Sequence, residues 1–106
     1  MRNNKFLAML GLAKRAGAVI IGTDLVTKAL PSGKVKLVIY ASDASCGTEK
    51  RITDKCKFYN VECVKTEYTA QELSHAVGKL SLVCTIGVTN DNFSKELNSL
   101  ISKETR

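Results

Sequence analysis

Five consecutive apolar residues, Leu37-Val38-Ile39-Tyr40-Ala41, leave no polar side on which a strand could face water. Successive side chains of a strand point to opposite faces, so this segment must be covered on both. The cover has to come from helices, and the rest of the chain supplies them. Phe6, Met9, Leu10 and Ala13 recur at helical intervals and predict a helix over 4–16, closed by Gly17. Ala18 to Ile21 reads as a short strand. Gly22-Thr23 then turns into a helix over 24–30, with Thr23 as its cap and Pro31 as its stop.

After the apolar strand comes a polar loop, 42–47, and a charged helix over 48–59 whose narrow stripe is Ile52, Cys56 and Tyr59. A strand over 61–64 follows. Thr69-Ala70-Gln71-Glu72 is a capping box that opens a helix through Leu73, Ala76 and Val77. Residues 78–81 link it to a strand over 82–88, and a last helix over 92–102 buries Phe93, Leu97, Leu100 and Ile101. Strands alternating with helices predict an α/β fold with helices on both sheet faces. A chain of 106 residues holds one such unit, so a single domain over 1–106 is expected.

Several function classes drop out. No run of about 20 apolar residues exists to span a membrane. Arg2 and Lys5 ahead of the apolar run 6–13 imitate a signal peptide. Lys14-Arg15 end that run after eight residues, however, and its spacing suits a core helix, so export is not expected. Phosphate-loop, dinucleotide and nucleophile-elbow motifs are missing. Cys46, Cys56, Cys63 and Cys84 form no CxxC, and His75 is the only histidine, so no metal and no cofactor is expected. Free, mostly buried thiols fit a reducing cytoplasm. His75 reads as a partly buried structural residue, and Cys46 alone among the thiols lies in a loop.

Charge points elsewhere. The formal net charge is +6, and residues 1–60 hold eleven basic side chains against four acidic ones. So one-sided a field favours polyanionic partners, nucleic acid first. At Gly22-Thr23-Asp24-Leu25-Val26-Thr27-Lys28 a strand ends and a helix begins, presenting free N–H groups that attract phosphates, with Lys28 one turn in. The plainer reading of the same residues is a capped helix with an exposed Asp24–Lys28 ion pair.

Three stretches occur in order at matching spacing: Leu10 to Gly17, Gly22 to Ala29, and Lys36 to Ala44. With Lys55 to Val61 and Leu73 to Lys79 they resemble the L-seven-Ae ribosomal-protein superfamily, closest to its small bacterial YlxQ-like branch. That resemblance implies a three-layer α/β/α sandwich around a mixed four-stranded sheet. It also implies non-enzymatic, cytoplasmic binding of structured RNA, of kink-turn type, ribosomal RNA or the ribosome included, with no small-molecule substrate. Mapped on this chain, the RNA-binding residues are Gly22, Thr23, Asp24, Leu25 and Lys28 at the helix end, and Lys79, Leu80 and Ser81 in the loop before the last strand. The two groups share one rim only if strand 82–88 runs antiparallel to strand 18–21. Lys14, Arg15, Lys34 and Lys36 are candidate backbone contacts.

Two departures shape the expectation. Tight kink-turn binders of the family often have Asn-Glu where this chain has Asp24-Leu25, and many have Lys at the position of Ala18. Ionised Asp only accepts hydrogen bonds and Leu makes none, so phosphate contact is favoured over base reading. Two other readings stay open. One is a protein-interaction or ribosome-assembly scaffold, suggested by an exposed Leu25. The other is a small enzyme using Cys46 or His75.

Overall fold

The computed structural model describes residues 5–104. Asn4, where the spacing predicts the first helix to begin, and Arg2 lie outside that range. The elements in chain order are α1 (Lys5–Arg15), β1 (Val19–Ile21), α2 (Thr23–Ala29) with a 3-10 turn at Leu30–Ser32, β2 (Leu37–Tyr40), α3 (Cys46–Phe58), β3 (Glu62–Lys65), α4 (Ala70–Ala76), β4 (Thr85–Val88) and α5 (Asp91–Glu104).

The sheet order is β1-β4-β2-β3. Strand β4 is antiparallel to both neighbours, with Ile21 opposite Ile86 and Tyr40 opposite Thr85, whereas β2 and β3 are parallel with Leu37 beside Glu62. The sheet is therefore mixed and four-stranded. Because β1, β2 and β3 share a direction, their C-terminal ends and the start of β4 lie at one end of the sheet. That end is called the rim below.

Strand β2 accounts for the two layers of helices. All four of its residues are buried. Leu37 and Ile39 enter a core with Phe6 and Leu10 of α1, Leu73 of α4, and Leu97 and Ile101 of α5. Val38 and Tyr40 enter another with Val26 of α2 and Ile52 and Cys56 of α3. Each face needs its own cover, so the α/β/α sandwich follows from an unbroken apolar strand.

Gly87 sets how closely α2 lies on the sheet. A Cβ placed there would come within 3.3 Å of a Val26 methyl and a Val35 methyl, so only glycine admits that approach without a shift.

Local signals explain most helix ends. Gly17 (φ 71°) takes the left-handed position after α1, and its amide donates to the Lys14 carbonyl at 3.1 Å. The Thr69–Glu72 capping box of α4 is complete. Other expectations need correction. Strand β4 begins at Thr85 rather than 82, since Leu82 is exposed and only residues from Thr85 pair with β2. Helix α3 begins two residues early, because the Ser45 hydroxyl accepts from the Thr48 amide at 3.2 Å and caps it. Cys46 thus belongs to the first turn of a helix, not to a loop. His75 is exposed rather than partly buried.

Candidate functional site

Strand β1 ends at Ile21, and Gly22 turns the chain into α2 with φ 109°, a conformation that side-chain-bearing residues rarely adopt. The Gly22 amide donates to the Thr85 carbonyl at 2.9 Å. Its own carbonyl accepts from the Val26 amide at 3.0 Å and closes the first helical turn. The amides of Thr23, Asp24 and Leu25 precede that bond and have no partner within the helix.

Gly22 is the N-cap, and no side chain caps α2. The expected capping role of Thr23 is therefore corrected. Its hydroxyl lies 2.9 Å from that of the buried Thr85, and this partner draws it away from the helix amides. The antiparallel pairing of β1 with β4, on which a shared rim depends, is present.

The rim also contains a charge arrangement absent from the sequence reading. Asp24 does not pair with Lys28 four residues on. Its carboxylate meets the Arg51 guanidinium of α3 at 2.8 Å. Arg51 thereby balances the one acidic group at the α2 N-terminus, and among the described residues Lys28 has no carboxylate within salt-bridge distance. Deeper at the same end, the Tyr40 hydroxyl donates to the Glu49 carboxylate at 3.0 Å, and Lys65 stands 4.0 Å from that carboxylate. Burial, then this bond to Glu49, pushes the Tyr40 pKa up to about 12.

The loop before β4 starts away from α2. The Lys79 amide donates to the Ser74 carbonyl of α4 at 2.9 Å. Lys79 and Leu80 line an open cavity of about 470 Å³ with Leu7 of α1 and Gln71 and His75 of α4. The loop then crosses to the rim, where the Cys84 carbonyl accepts from the Ala41 amide at 2.8 Å and Thr85 binds Gly22. Leu82, three residues before Thr85, is an exposed loop leucine rather than the first residue of a strand. Five large hydrophobic side chains among the described residues are exposed, and Leu25, Leu80 and Leu82 are three of them. The other two, Leu12 and Phe58, lie on α1 and α3.

The four candidate backbone contacts go elsewhere. Lys14 and Arg15 end α1, ahead of Val19, which faces Val88. The Lys36 amide donates to the Val88 carbonyl, and Lys34 precedes it. Strand β4 ends at Val88, so all four residues lie at the end of the sheet opposite the rim. Sequence proximity suggested a shared surface, and the length of the strands separates them.

Arg51, Thr85 and Leu82 are the rim residues that sequence reasoning missed. Arg51 and Thr85 are 27 and 62 positions from their partners Asp24 and Thr23, and no local pattern signals either pairing.

No group of three or more potential metal ligands occurs among the described residues, and no helix among them is long and apolar enough to cross a membrane. All four cysteines are free thiols. Cys56 is buried and Cys46 exposed, with Cys63 and Cys84 between. A hydrogen bond with the Cys56 thiol, then burial, raises the pKa of Cys63.

Residues 4–98 match the model of the ribosomal protein L7Ae/L30e/S12e/Gadd45 family. The RNA-binding protein YlxQ of Bacillus subtilis (strain 168) is 40% identical over 101 residues, covering 95% of this chain and 99% of the relative. The large ribosomal subunit protein eL30 of Sulfurisphaera tokodaii is 31% identical over 86 residues, 81% of either chain. A solved protein of unknown function from Bacillus halodurans superposes with a TM-score of 0.88 at 39% identity, covering 94% of this chain and 99% of the other. The two named relatives carry the names of RNA-binding and ribosomal proteins, not of catalysts.

Proposed function

Because the chain belongs to the ribosomal protein L7Ae/L30e/S12e/Gadd45 family and to its YlxQ-like branch, we propose that it is a non-enzymatic protein that binds kinked or bulged structured RNA through the rim. The observation that carries this reading is the 40% identity to an RNA-binding protein over nearly the whole of both chains. The geometry is compatible with it. Three unpartnered amides at the start of α2 and the exposed Lys28 suit the sugar-phosphate chain. Leu80 and Leu82 give the loop apolar surface with which to cover an unstacked nucleotide.

Asp24 and Leu25 limit base reading. With its carboxylate held by Arg51, Asp24 has nothing to donate to a guanine edge, so the grip rests on phosphates more than on sequence. Titration against a kink-turn, and against the same RNA with its G·A pairs converted to G·C, tests the reading. Wild type binds both, with a modest preference for the kink. Lys28→Ala weakens both and lowers the dependence of log affinity on log salt by about one. Asp24→Asn releases Arg51, supplies a donor, and sharpens the preference for the kink. Unchanged affinity in Lys28→Ala at moderate salt removes the rim from the proposal.

A second reading has one observation in its favour. The exposed leucines of the rim also suit a protein partner, as in a ribosome-assembly scaffold. Partners retained after nuclease treatment, together with no measurable affinity for either RNA, would select it.

A further inference from the structure

The end of the sheet opposite the rim has four lysines and one exposed aromatic ring. Leu37 and Glu62 lie side by side in register, so the residues leading into each strand converge there. Lys34 and Lys36 precede β2, and Lys55, Lys57 and Phe58 form the last turn of α3. Val35, between the first two lysines, is buried in the same core as Cys56 and Tyr59 of the α3 terminus. All four lysines are exposed, and among the described residues none has a carboxylate within salt-bridge distance.

Phe58 is 78% exposed and is the one exposed aromatic side chain among the described residues. Its ring lies nearly perpendicular to that of the half-buried Tyr59, with the centroids 4.8 Å apart. Attraction to the negative end of α3 accounts for Lys55 and Lys57. It accounts neither for Lys34 and Lys36 nor for a phenylalanine held in water. Two exposed carboxylates belong to this end, Asp54 one turn before Phe58 and Glu62 at the start of β3, where Glu62 accepts from the Asn98 side-chain amide at 2.9 Å; the four lysines outnumber them.

We propose that this end is a second RNA contact. One unpaired base of a single-stranded segment stacks on Phe58, and Lys34, Lys36, Lys55 and Lys57 meet the flanking phosphates. Stacking on an aromatic face beside a cationic track is how single strands are held without sequence preference. The proposal rests on the reading of the chain as an RNA-binding protein but uses none of the rim residues. The molecule measures 35 × 30 × 28 Å and the two ends are separated by the length of the sheet, so one could hold a folded RNA while the other holds a single strand.

The chain has no tryptophan, so Phe58→Trp introduces a sole fluorophore of that kind at the site. Its emission is measured against an oligoadenylate of about twelve nucleotides. Saturable quenching is expected, strong at low salt and lost at high salt. In parallel, Phe58→Ala lowers affinity for the oligonucleotide about tenfold. The same variant leaves kink-turn affinity unchanged, whereas Lys28→Ala reduces kink-turn affinity and spares the oligonucleotide. Unquenched tryptophan emission from Phe58→Trp, with kink-turn binding intact, overturns this inference and leaves the rim reading standing. Quenching by nuclease-treated ribosomal protein, with none by the oligonucleotide, assigns the face to a protein partner and also overturns it. Absence of binding to either RNA defeats the rim reading and this one together.

Discussion

Asp24 and Arg51 show how one contact changes the chemistry of a helix end. An uncompensated carboxylate beside three free amides would repel a phosphate from the place the proposed function gives it. Held at 2.8 Å by a guanidinium from α3, it no longer repels an anion to the same degree. Both side chains are largely exposed, so the pair adds less than about 1 kcal/mol to stability. Arg51→Ala should therefore leave the melting temperature nearly unchanged and weaken RNA binding up to about fivefold at low salt. Replacing Asp24 by Asn in that background should recover much of the loss, as an affinity titration would reveal. Tyr40 is the opposite case, buried and valuable to the fold. Its pKa stands above the ordinary 10.0, so folding favours the neutral phenol. The stabilisation is whole below pH 10 and fades as pH climbs through about 12. Tyr40→Phe should cost about 1 kcal/mol at neutral pH by losing the bond to Glu49, and should flatten the alkaline fall in denaturant midpoint.

Helix α2 has seven residues and no side-chain cap, so its position depends on what it rests on. Gly87 lets it approach β4, and Gly87→Ala forces a methyl against Val26 and Val35. That change should cost about 1–3 kcal/mol and displace α2, measurable as a lower melting temperature with weaker RNA binding than Lys28→Ala alone produces. The order of the elements was legible in the sequence because their signals are local: the apolar run 37–41, Gly17 after α1, the Thr69–Glu72 box. The start of α3 was also within reach, since Ser45 and Thr48 have cap spacing. Gly47 in the first turn hid it. The role of Thr23 was not legible. A threonine before a helix ordinarily caps it, and only the fold reveals that its hydroxyl is taken by one 62 positions away. Leu82 misled because an apolar run reads as strand until its neighbours are known.

Across the whole molecule, positive charge is split between two ends of one sheet. Arg51 stands with Asp24 at the rim and Lys28 in the last turn of α2, while Lys14, Arg15, Lys34 and Lys36 are carried to the far end by the direction of β1 and β2. A sequence records the surplus but not its division, because strand direction decides which lysines meet. The antiparallel β4 joins the loop at 79–84 to the start of α2, and in the proposed function that junction meets RNA. Amide chemical-shift mapping with a kink-turn RNA tests this most directly. The largest changes should fall on the amides of Thr23, Asp24, Leu25 and Val26 and on 82–85, with α5 unmoved. Shifts confined to α5 or to the far end, with those amides silent at saturation, would contradict it.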